Sequence, residues 1–179
     1  MRLRRVVTGQ TANGRSVFVS DEHMEPTTLR LLPGAEFHHV WGSDEPVALP
    51  TDGVRPQAPR YFPVPGGFRF HVFTLAPQGA TAPADLDMGA ALKEFAEKVP
   101  GMAEAMEPGH PGMHTTDTVD FDLVISGEVC LELDDGAEVR LGPGDCVVQN
   151  GTRHRWRNRT SEPCVIAVAL LGMTRSGSD

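Results

Sequence analysis

Apolar and polar residues alternate along much of this chain, and this pattern predicts a protein built mainly of β-strands. Runs of about five to eight such residues are separated by Gly, Asp and Pro, which is typical of consecutive antiparallel hairpins. The pattern is clearest in the second half of the chain. Strands are expected there at about 119–126, 128–134, 137–141, 145–149, 153–158 and 163–171.

The first half is predicted to add further strands to the same sandwich. They are expected at 3–8, 15–20, 35–41 and 68–75. The first two flank Asn13-Gly14, a dipeptide typical of two-residue hairpin turns. On the third, the alternation places Phe37, His39 and Trp41 on one face. The Pro-rich segment that follows carries little periodicity and is expected to be a long ordered loop.

One stretch has helical periodicity. Between Met88 and Met106, apolar residues recur at helical spacing until Pro100-Gly101 interrupts them. No internal repeat or second core is visible, so the sequence predicts a single domain, 1–179. Its predicted parts are N-terminal strands and a loop arm at 1–85, a helical segment at 86–106, a barrel core at 107–172 and a flexible tail at 173–179.

Composition narrows the classes of partner and location. The net charge of −8 and the scattered basic residues argue against nucleic acid and anionic membranes as partners. No apolar run approaches the roughly 20 residues that span a bilayer. Cys130, Cys146 and Cys164 lie in apolar runs, form no C-x-x-C pair and are predicted to be buried, reduced thiols. We therefore expect a cytoplasmic protein.

The stretch between residues 113 and 158 carries a histidine near each end. Its notable residues are His114, Thr116, Asp120, Gly127, Gly144, Asp145, Gly151, His154 and Asn158. This pattern resembles the two motifs of the cupin family. Thr116 stands in place of the second histidine of the first motif, and Asp120 in place of its glutamate. The second motif is one residue short and has Gln149-Asn150 where a proline is usual.

The resemblance implies an all-β cupin jelly-roll barrel, an antiparallel β-sandwich, here with an N-terminal strand extension and one short α-helix. It also implies a small, partly apolar cavity that holds one divalent transition metal. The ligand set is compatible with Fe, Zn, Ni or Mn and does not choose between them. As in related barrels, a homodimer is expected, with the first strands pairing across subunits.

Strand parity refines the predicted site. His114, Thr116, Thr118 and Asp120 point to one face of an extended strand. If this face and that of His154 both line the interior, two imidazoles and one carboxylate converge, as in non-haem iron oxygenases. Asp120 is a methylene shorter than glutamate, so it either ligates the metal or orients an imidazole.

Other residues have two interpretations each. His110 is a possible further metal ligand or an exposed loop histidine. Trp156 is an aromatic wall for a planar ligand or ordinary core. Thr116, Thr118 and Asn158 are predicted pocket residues. At most one of the adjacent pair His38 and His39 reaches a pocket, and core or surface positions are expected for them and for His71.

The favoured function is a metal-dependent enzyme that acts on a small oxygenated organic molecule by dioxygenase-type or Lewis-acid chemistry. One alternative is a non-redox isomerase, cyclase or decarboxylase of a biosynthetic pathway. The other is a non-catalytic cupin that binds a small molecule. The chain contains no Gly-rich phosphate loop and no G-x-S-x-G sequence, which argues against nucleotide and serine-hydrolase chemistry.

Overall fold

The computed structural model describes residues 2–176. This part of the chain contains ten strands and two short α-helices. The strands are β1 (Leu3–Gln10), β2 (Ser16–Met24), β3 (Glu36–Ser43), β4 (Phe68–Leu75), β5 (Thr118–Ser126), β6 (Val129–Glu132), β7 (Glu138–Leu141), β8 (Cys146–Asn150), β9 (Arg155–Arg157) and β10 (Cys164–Gly172). The helices are α1 (Met88–Lys98) and α2 (Met102–Ala105). The predicted all-β fold is confirmed.

Eight strands form two antiparallel sheets around one core. The larger sheet has the order β3-β4-β10-β5-β8 and the smaller one β7-β6-β9. A single cluster of buried apolar side chains joins the two sheets. It includes Phe37, Phe73, Val124, Val129, Leu131, Leu141, Ile166, Val168 and Leu170. The barrel interior lies between the sheets, and the first half of the chain supplies two strands of the larger one.

The first two strands form a hairpin of their own. β1 and β2 pair as a separate two-stranded sheet, and Gly14 in their turn has a φ of 75°. The hairpin is tied to the barrel by Arg5, which donates to the backbone carbonyl of Val40 at 3.1 Å. The same guanidinium lies 5.8 Å from the centre of the Trp41 ring. The hairpin predicted around Asn13-Gly14 is therefore present.

The helical segment breaks where the sequence predicts. Asp87 caps α1 by accepting a hydrogen bond from the backbone of Ala90 at 3.0 Å. Gly101 then has a φ of 91°, which glycine adopts without strain, and starts α2 in a new direction. Val99 and Met102, on either side of this break, are both buried in the core.

The glycine that ends β5 is required by close packing. Gly127 has a φ of 76°, and a Cβ atom built on it would lie 2.4 Å from the carbonyl oxygen of Pro163. No other residue fits there without moving the start of β10. The motif glycine therefore sets how tightly β5 turns into β6, and this turn keeps the inner face of β5 in register with β10.

Strand β5 buries polar side chains on its inner face. Thr118, Asp120 and Asp122 are buried, whereas Phe121 and Leu123, which alternate with them, are exposed. Burying two carboxyl groups costs free energy unless they are satisfied or protonated. This pattern is the reverse of that in an ordinary strand, and it indicates that the inner face of β5 serves a function at a cost in folding stability.

One strand differs from its predicted geometry. A bulge lies between His39 and Trp41, because His39 pairs with His71 while Trp41 pairs with Phe70. His71 and Phe70 are neighbours on β4 and point to opposite faces. The bulge therefore interrupts the alternation predicted for this strand, and His39 and Trp41 nevertheless border the same cavity.

The cysteines are only partly as predicted. All three are free, but Cys146 is exposed and Cys130 is half-buried, so only Cys164 is the buried thiol that was expected. The predicted flexible tail begins with ordered contacts, since Arg175 donates to the carbonyl oxygens of Thr116 and Gly151 at 2.8 and 3.0 Å. Residues 177–179 of that tail lie outside the described residues.

No helix within residues 2–176 has the length and apolar character needed to cross a bilayer.

Candidate active site

Two histidines from distant parts of the chain lie side by side at the barrel. His114 and His154 form an isolated antiparallel bridge, in which each backbone N–H donates to the carbonyl of the other at 2.9 Å. Their ring centroids are 4.2 Å apart and the ring planes are tilted by 50°. Because the backbone holds the two residues, the placement of the rings does not depend on a contact between side chains.

The hydrogen bonds of these rings select one tautomer. The Nδ1 atom of His114 lies 3.0 Å from the carbonyl oxygen of Gly112, and that of His154 lies 2.9 Å from the carbonyl oxygen of Thr152. A carbonyl oxygen only accepts, so each Nδ1 carries the hydrogen. In a neutral ring, Nε2 then presents a free lone pair.

Burial keeps both rings neutral near pH 7. It lowers the pKa of His114 below its usual range. It also lowers the pKa of His154 to about 4, with a further contribution from the charge that His114 would carry. The pair therefore offers two adjacent unprotonated nitrogens, which suit metal ligation or proton abstraction.

A hydrogen-bonded row of polar side chains runs along the inner face of β5. Thr116 Oγ1 lies 2.7 Å from Thr118 Oγ1, and Asp120 follows on the same face of the strand. All three are buried. The Oδ1 atom of Asp120 has no hydrogen-bond partner, and burial raises the pKa of this carboxyl to about 6.

A second carboxyl group, Asp122, follows on the same face. Its Oδ2 atom is buried without a partner. Burial raises its pKa to about 8, and the neighbouring charge of Asp120 contributes to this shift. Both carboxyl groups therefore hold a proton to a higher pH than an exposed aspartate does, which suits acid–base chemistry. The charges of Asp122 and Asp120 add to the burial that raises the pKa of the Tyr61 hydroxyl.

Aromatic rings connect the β5 side of the interior to the histidine pair. Tyr61 and Phe62, from the loop between β3 and β4, are adjacent rings with centroids 5.0 Å apart. Phe62 stacks near His114 at 6.4 Å, and Tyr61 stacks on His71 at 4.6 Å. On the other side, Trp156 meets His154 edge-on at 6.2 Å. The histidine pair therefore lies in a wall of flat side chains.

The remaining predicted residues lie in three different settings. Trp156 packs against the core as well as against the ring of His154, and its role as a wall for a planar ligand stays a prediction. Asn158 donates to the carbonyl of Glu162 at 2.7 Å and accepts from Thr160, so its amide is committed to the turn before β10. His110 lies on an exposed turn, with Nδ1 2.7 Å from a carboxylate oxygen of Glu107.

The histidine pair and the β5 carboxyl groups fall within one matched segment. Residues 102–170 match the family model for the cupin domain. This segment also contains strands β5 to β9 and most of β10. The chain belongs to the cupin superfamily.

Among proteins of known origin, this cupin is similar to members of fungal biosynthesis clusters. It is 34% identical over 134 residues to "Phomopsin biosynthesis cluster protein C'" of Diaporthe leptostromiformis, covering 68% of this chain and 64% of the relative. It is 37% identical over 99 residues to "Oryzines biosynthesis cluster protein J" of Aspergillus oryzae, covering 48% of this chain and 55% of the relative. The chain thus spans less than two thirds of the length of these curated relatives.

Among solved structures, the chain is similar to the cupin domain of Schizosaccharomyces pombe Cnp3. The alignment covers 96% of this chain and 89% of that one, with a TM-score of 0.49 and 8% identity.

Cupin domains commonly bind a metal ion, and the histidine pair fits part of such a site. The free Nε2 atoms of His114 and His154 suit two neighbouring ligand positions. Within residues 2–176, however, no three His, Cys, Asp or Glu side chains are grouped so that they could hold one ion together. The structure brings the two predicted histidines together and leaves Asp120 outside such a group.

Four residues around this interior were missed or misplaced by sequence reasoning. Asp122 has the same parity as Asp120 and could have been found from it. His39 and His71 were expected in the core or on the surface, but they line a cavity. Tyr61 comes from an aperiodic loop, where no local signal shows that its ring enters the barrel.

Proposed function

We propose that this cupin is an enzyme of small-molecule biosynthesis that acts on a small oxygenated organic molecule, with His114 and His154 holding one divalent transition metal. The observation that carries the proposal is the pair of neutral, backbone-positioned imidazoles with free Nε2 atoms. A bound Fe, Zn, Ni or Mn ion would supply Lewis acidity or, for a redox metal, dioxygen activation.

The chain's own residues supply the rest of the proposed site. Asp120 is the candidate carboxylate ligand, supported by its buried Oδ1 atom, which lacks a hydrogen-bond partner. Thr116 and Thr118 offer hydroxyl groups from the same face. Trp156 and Phe62 flank the two imidazoles and would exclude water on either side of a flat substrate.

Metal analysis tests this proposal directly. The purified protein should contain about one metal ion per chain, and added Fe, Zn, Ni or Mn should raise the melting temperature of metal-free protein. His154→Ala should remove both effects. His23→Ala is the matched control, because His23 is exposed on β2. Metal-free protein that no added ion stabilises would exclude the metal site.

A non-redox isomerase, cyclase or decarboxylase is the second candidate, favoured by the β5 carboxyl pair. Asp120 and Asp122 both place a buried, unpartnered carboxyl oxygen on the inner face of β5. Such groups can give and take protons on one substrate without a change of oxidation state. Substrate turnover that survives complete removal of metal and is lost in Asp122→Asn would favour this candidate. A non-catalytic cupin would bind the molecule and leave it unchanged.

Two properties of the whole molecule complete the proposal. We infer a homodimer that uses the β1–β2 hairpin, because Val17, Phe18 and Val19 are exposed on it. A cytoplasmic location is supported by the three free thiols at Cys130, Cys146 and Cys164.

A further inference from the structure

One cavity of the structure does not include the histidine pair in its lining. It has a volume of about 300 Å³ and opens between β3, β4, the loop that joins them and the end of α1. Its chemistry comes from five side chains, which define the arginine cavity: His39, Arg55, Arg60, Tyr61 and His71. His114, His154 and Asp120 are not in its lining. The volume is at the lower end of the range for small-molecule pockets.

A buried imidazole in this cavity lacks a partner on one side. His71 is only 2% exposed, and its Nε2 atom lies 3.2 Å from the carbonyl oxygen of Tyr61. Since a carbonyl only accepts, Nε2 carries the hydrogen and Nδ1 is an acceptor. This Nδ1 atom is buried without a hydrogen-bond partner. A hydroxyl or N–H of a ligand would satisfy it and remove the free-energy cost that an unpaired buried acceptor carries.

His39, whose ring lies beside that of His71, also has a buried nitrogen without a hydrogen-bond partner. His39 lies with its centroid 4.8 Å from that of His71, in an edge-to-face arrangement. Its Nε2 atom is also buried without a partner. Burial lowers the pKa of both rings, so they are neutral near pH 7 and present hydrogen-bonding groups rather than charges. Two unsatisfied nitrogens in one cavity wall point to a polar ligand.

Two arginines give the cavity an unbalanced positive charge. Arg55 donates to the carbonyl oxygen of His39 at 2.8 Å, and it forms no salt bridge within the described part of the chain. Its pKa is lowered by burial and then by the charge of Arg5. Arg60 lies 3.9 Å from Glu104, with both side chains more than half exposed, so this pair contributes little.

Two further cations of the lining are already matched. Arg69 is buried and donates to Asp44 at 2.6 Å. Lys98 donates to Glu94 at 2.8 Å. Glu97, which also lines the cavity, lies 3.8 Å from Lys93 in an exposed pair that contributes as little as the pair of Arg60 and Glu104. The lining therefore holds two arginines without a strong ion pair, Arg55 and Arg60, against one such carboxylate, and this excess of positive charge favours an anionic ligand.

Flat apolar surfaces complete the cavity. The Tyr61 ring stacks on His71 with an interplanar angle of 13°, and Trp41, Pro59 and Pro100 form further walls. Surfaces of this kind favour a planar group, because ring faces pack closely against flat ligands.

We infer that the arginine cavity binds a small aromatic hydroxy acid. Its carboxylate would pair with Arg55 and Arg60, its hydroxyl would donate to His71 Nδ1, and its ring would pack near Tyr61 and Trp41. The geometry assigns this ligand to a site separate from His114 and His154, so the inference does not depend on the proposed metal.

Three probes of nearly equal size test the ligand class. Mandelate has the ring, the carboxylate and the hydroxyl; phenylacetate lacks the hydroxyl, and mandelamide lacks the charge. Calorimetric titration of the full chain should give the tightest binding for mandelate. Loss of the hydroxyl or of the charge should weaken binding about 10-fold each, as expected for one charge-assisted hydrogen bond or a buried acceptor left unpaired. No binding of mandelate at millimolar concentration, or equal binding of mandelamide, would overturn the inference.

Variants locate the probe. Arg55→Gln and Arg60→Gln should each weaken mandelate binding about 10-fold, whereas Arg140→Gln, an exposed arginine of β7 paired with Glu128, should change nothing. Mandelate affinity that survives both cavity substitutions would contradict the proposed pairing. His71→Asn should reduce the preference for mandelate over phenylacetate. If that variant does not fold, the two arginine variants still decide the outcome.

A final variant separates this site from the metal proposal. His154→Ala should bind mandelate like the parent, whether or not the parent carries metal. Loss of mandelate binding in His154→Ala would place the probe at the histidine pair and overturn the inference. Conversely, an absent metal would leave the mandelate results standing.

Discussion

His114 and His154 hold each other in place through two reciprocal backbone hydrogen bonds of 2.9 Å. The side chains add only a ring contact with centroids 4.2 Å apart. The position of the pair is thus a property of the backbone, and either imidazole can be removed while these hydrogen bonds remain. Substitutions in and around this pair therefore report on chemistry more directly than on folding.

The Asp120→Asn variant distinguishes the two possible roles of Asp120. Asp120→Asn keeps the shape and one acceptor oxygen but removes the charge. If Asp120 ligates the metal, affinity should fall severely; if it only orients a neighbouring group, the loss should be about 10- to 100-fold. Competition with a chelator measures this affinity. Asp117→Asn, at an exposed carboxylate paired with Arg175, is the control and should bind metal like the parent.

Restoring the second histidine of the cupin motif should strengthen the site. Thr116 is buried on the same face as Asp120, so Thr116→His would add an imidazole to the interior. We expect metal affinity to rise about 10-fold or more, at a stability cost of about 1–3 kcal/mol from overpacking. Thr115→His is the matched control, since Thr115 is exposed. Equal affinities of the two variants would show that the Thr116 face does not approach the metal.

Acid should destabilise the protein through the arginine-cavity histidines. Burial lowers the pKa of His39 to about 4 and that of His71 to about 3. In the unfolded chain both titrate near 6.5, so below that pH the unfolded state binds protons that the native state does not. The free energy of unfolding should therefore fall by about 2 kcal/mol per histidine between pH 7.5 and pH 5.

The buried carboxyl groups act in the opposite direction, so the prediction is checked as a difference between variants. The raised pKa values of Asp120 and Asp122 make their contribution to stability decline as the pH rises. Urea unfolding of His39→Asn should show a shallower loss toward pH 5 than the parent. His23→Asn, at an exposed position, should keep the parental slope. A parental slope in His39→Asn would mean that His39 is not held neutral.

The hairpin should carry the dimer contact. Phe18 is 79% exposed on β2, so burial against a second subunit would remove its ring from water at a gain of about 1.5–3 kcal/mol. Phe18→Ser should raise the dimer dissociation constant at least 10-fold, measured by light scattering over a dilution series. Phe121→Ser, at an exposed phenylalanine of the larger sheet, is the matched control. Dissociation of the dimer by Phe121→Ser alone would move the interface to that sheet.

Local signals in the sequence determined most of the secondary structure. The alternating runs coincide with strands of the structure. Asn13-Gly14 lies in the turn between β1 and β2, and Pro100-Gly101 lies between α1 and α2. These signals work because side-chain period and turn conformation depend on neighbouring residues alone. The meeting of His114 and His154 is not local, and it was expected from the resemblance to the two cupin motifs.

Tertiary structure alone decided which polar groups share a cavity. The bulge before Trp41 follows from the pairing of β3 with β4 and shifts the register that alternation alone predicts for this strand. Arg55 and Arg60 lie in a loop without periodicity, so no pattern in the sequence predicts that they share a cavity with His39. The loop is held there by long-range contacts such as the hydrogen bond from the backbone of Tyr61 to Pro100. Contacts of this kind depend on how the whole chain packs, and local spacing carries no information about them.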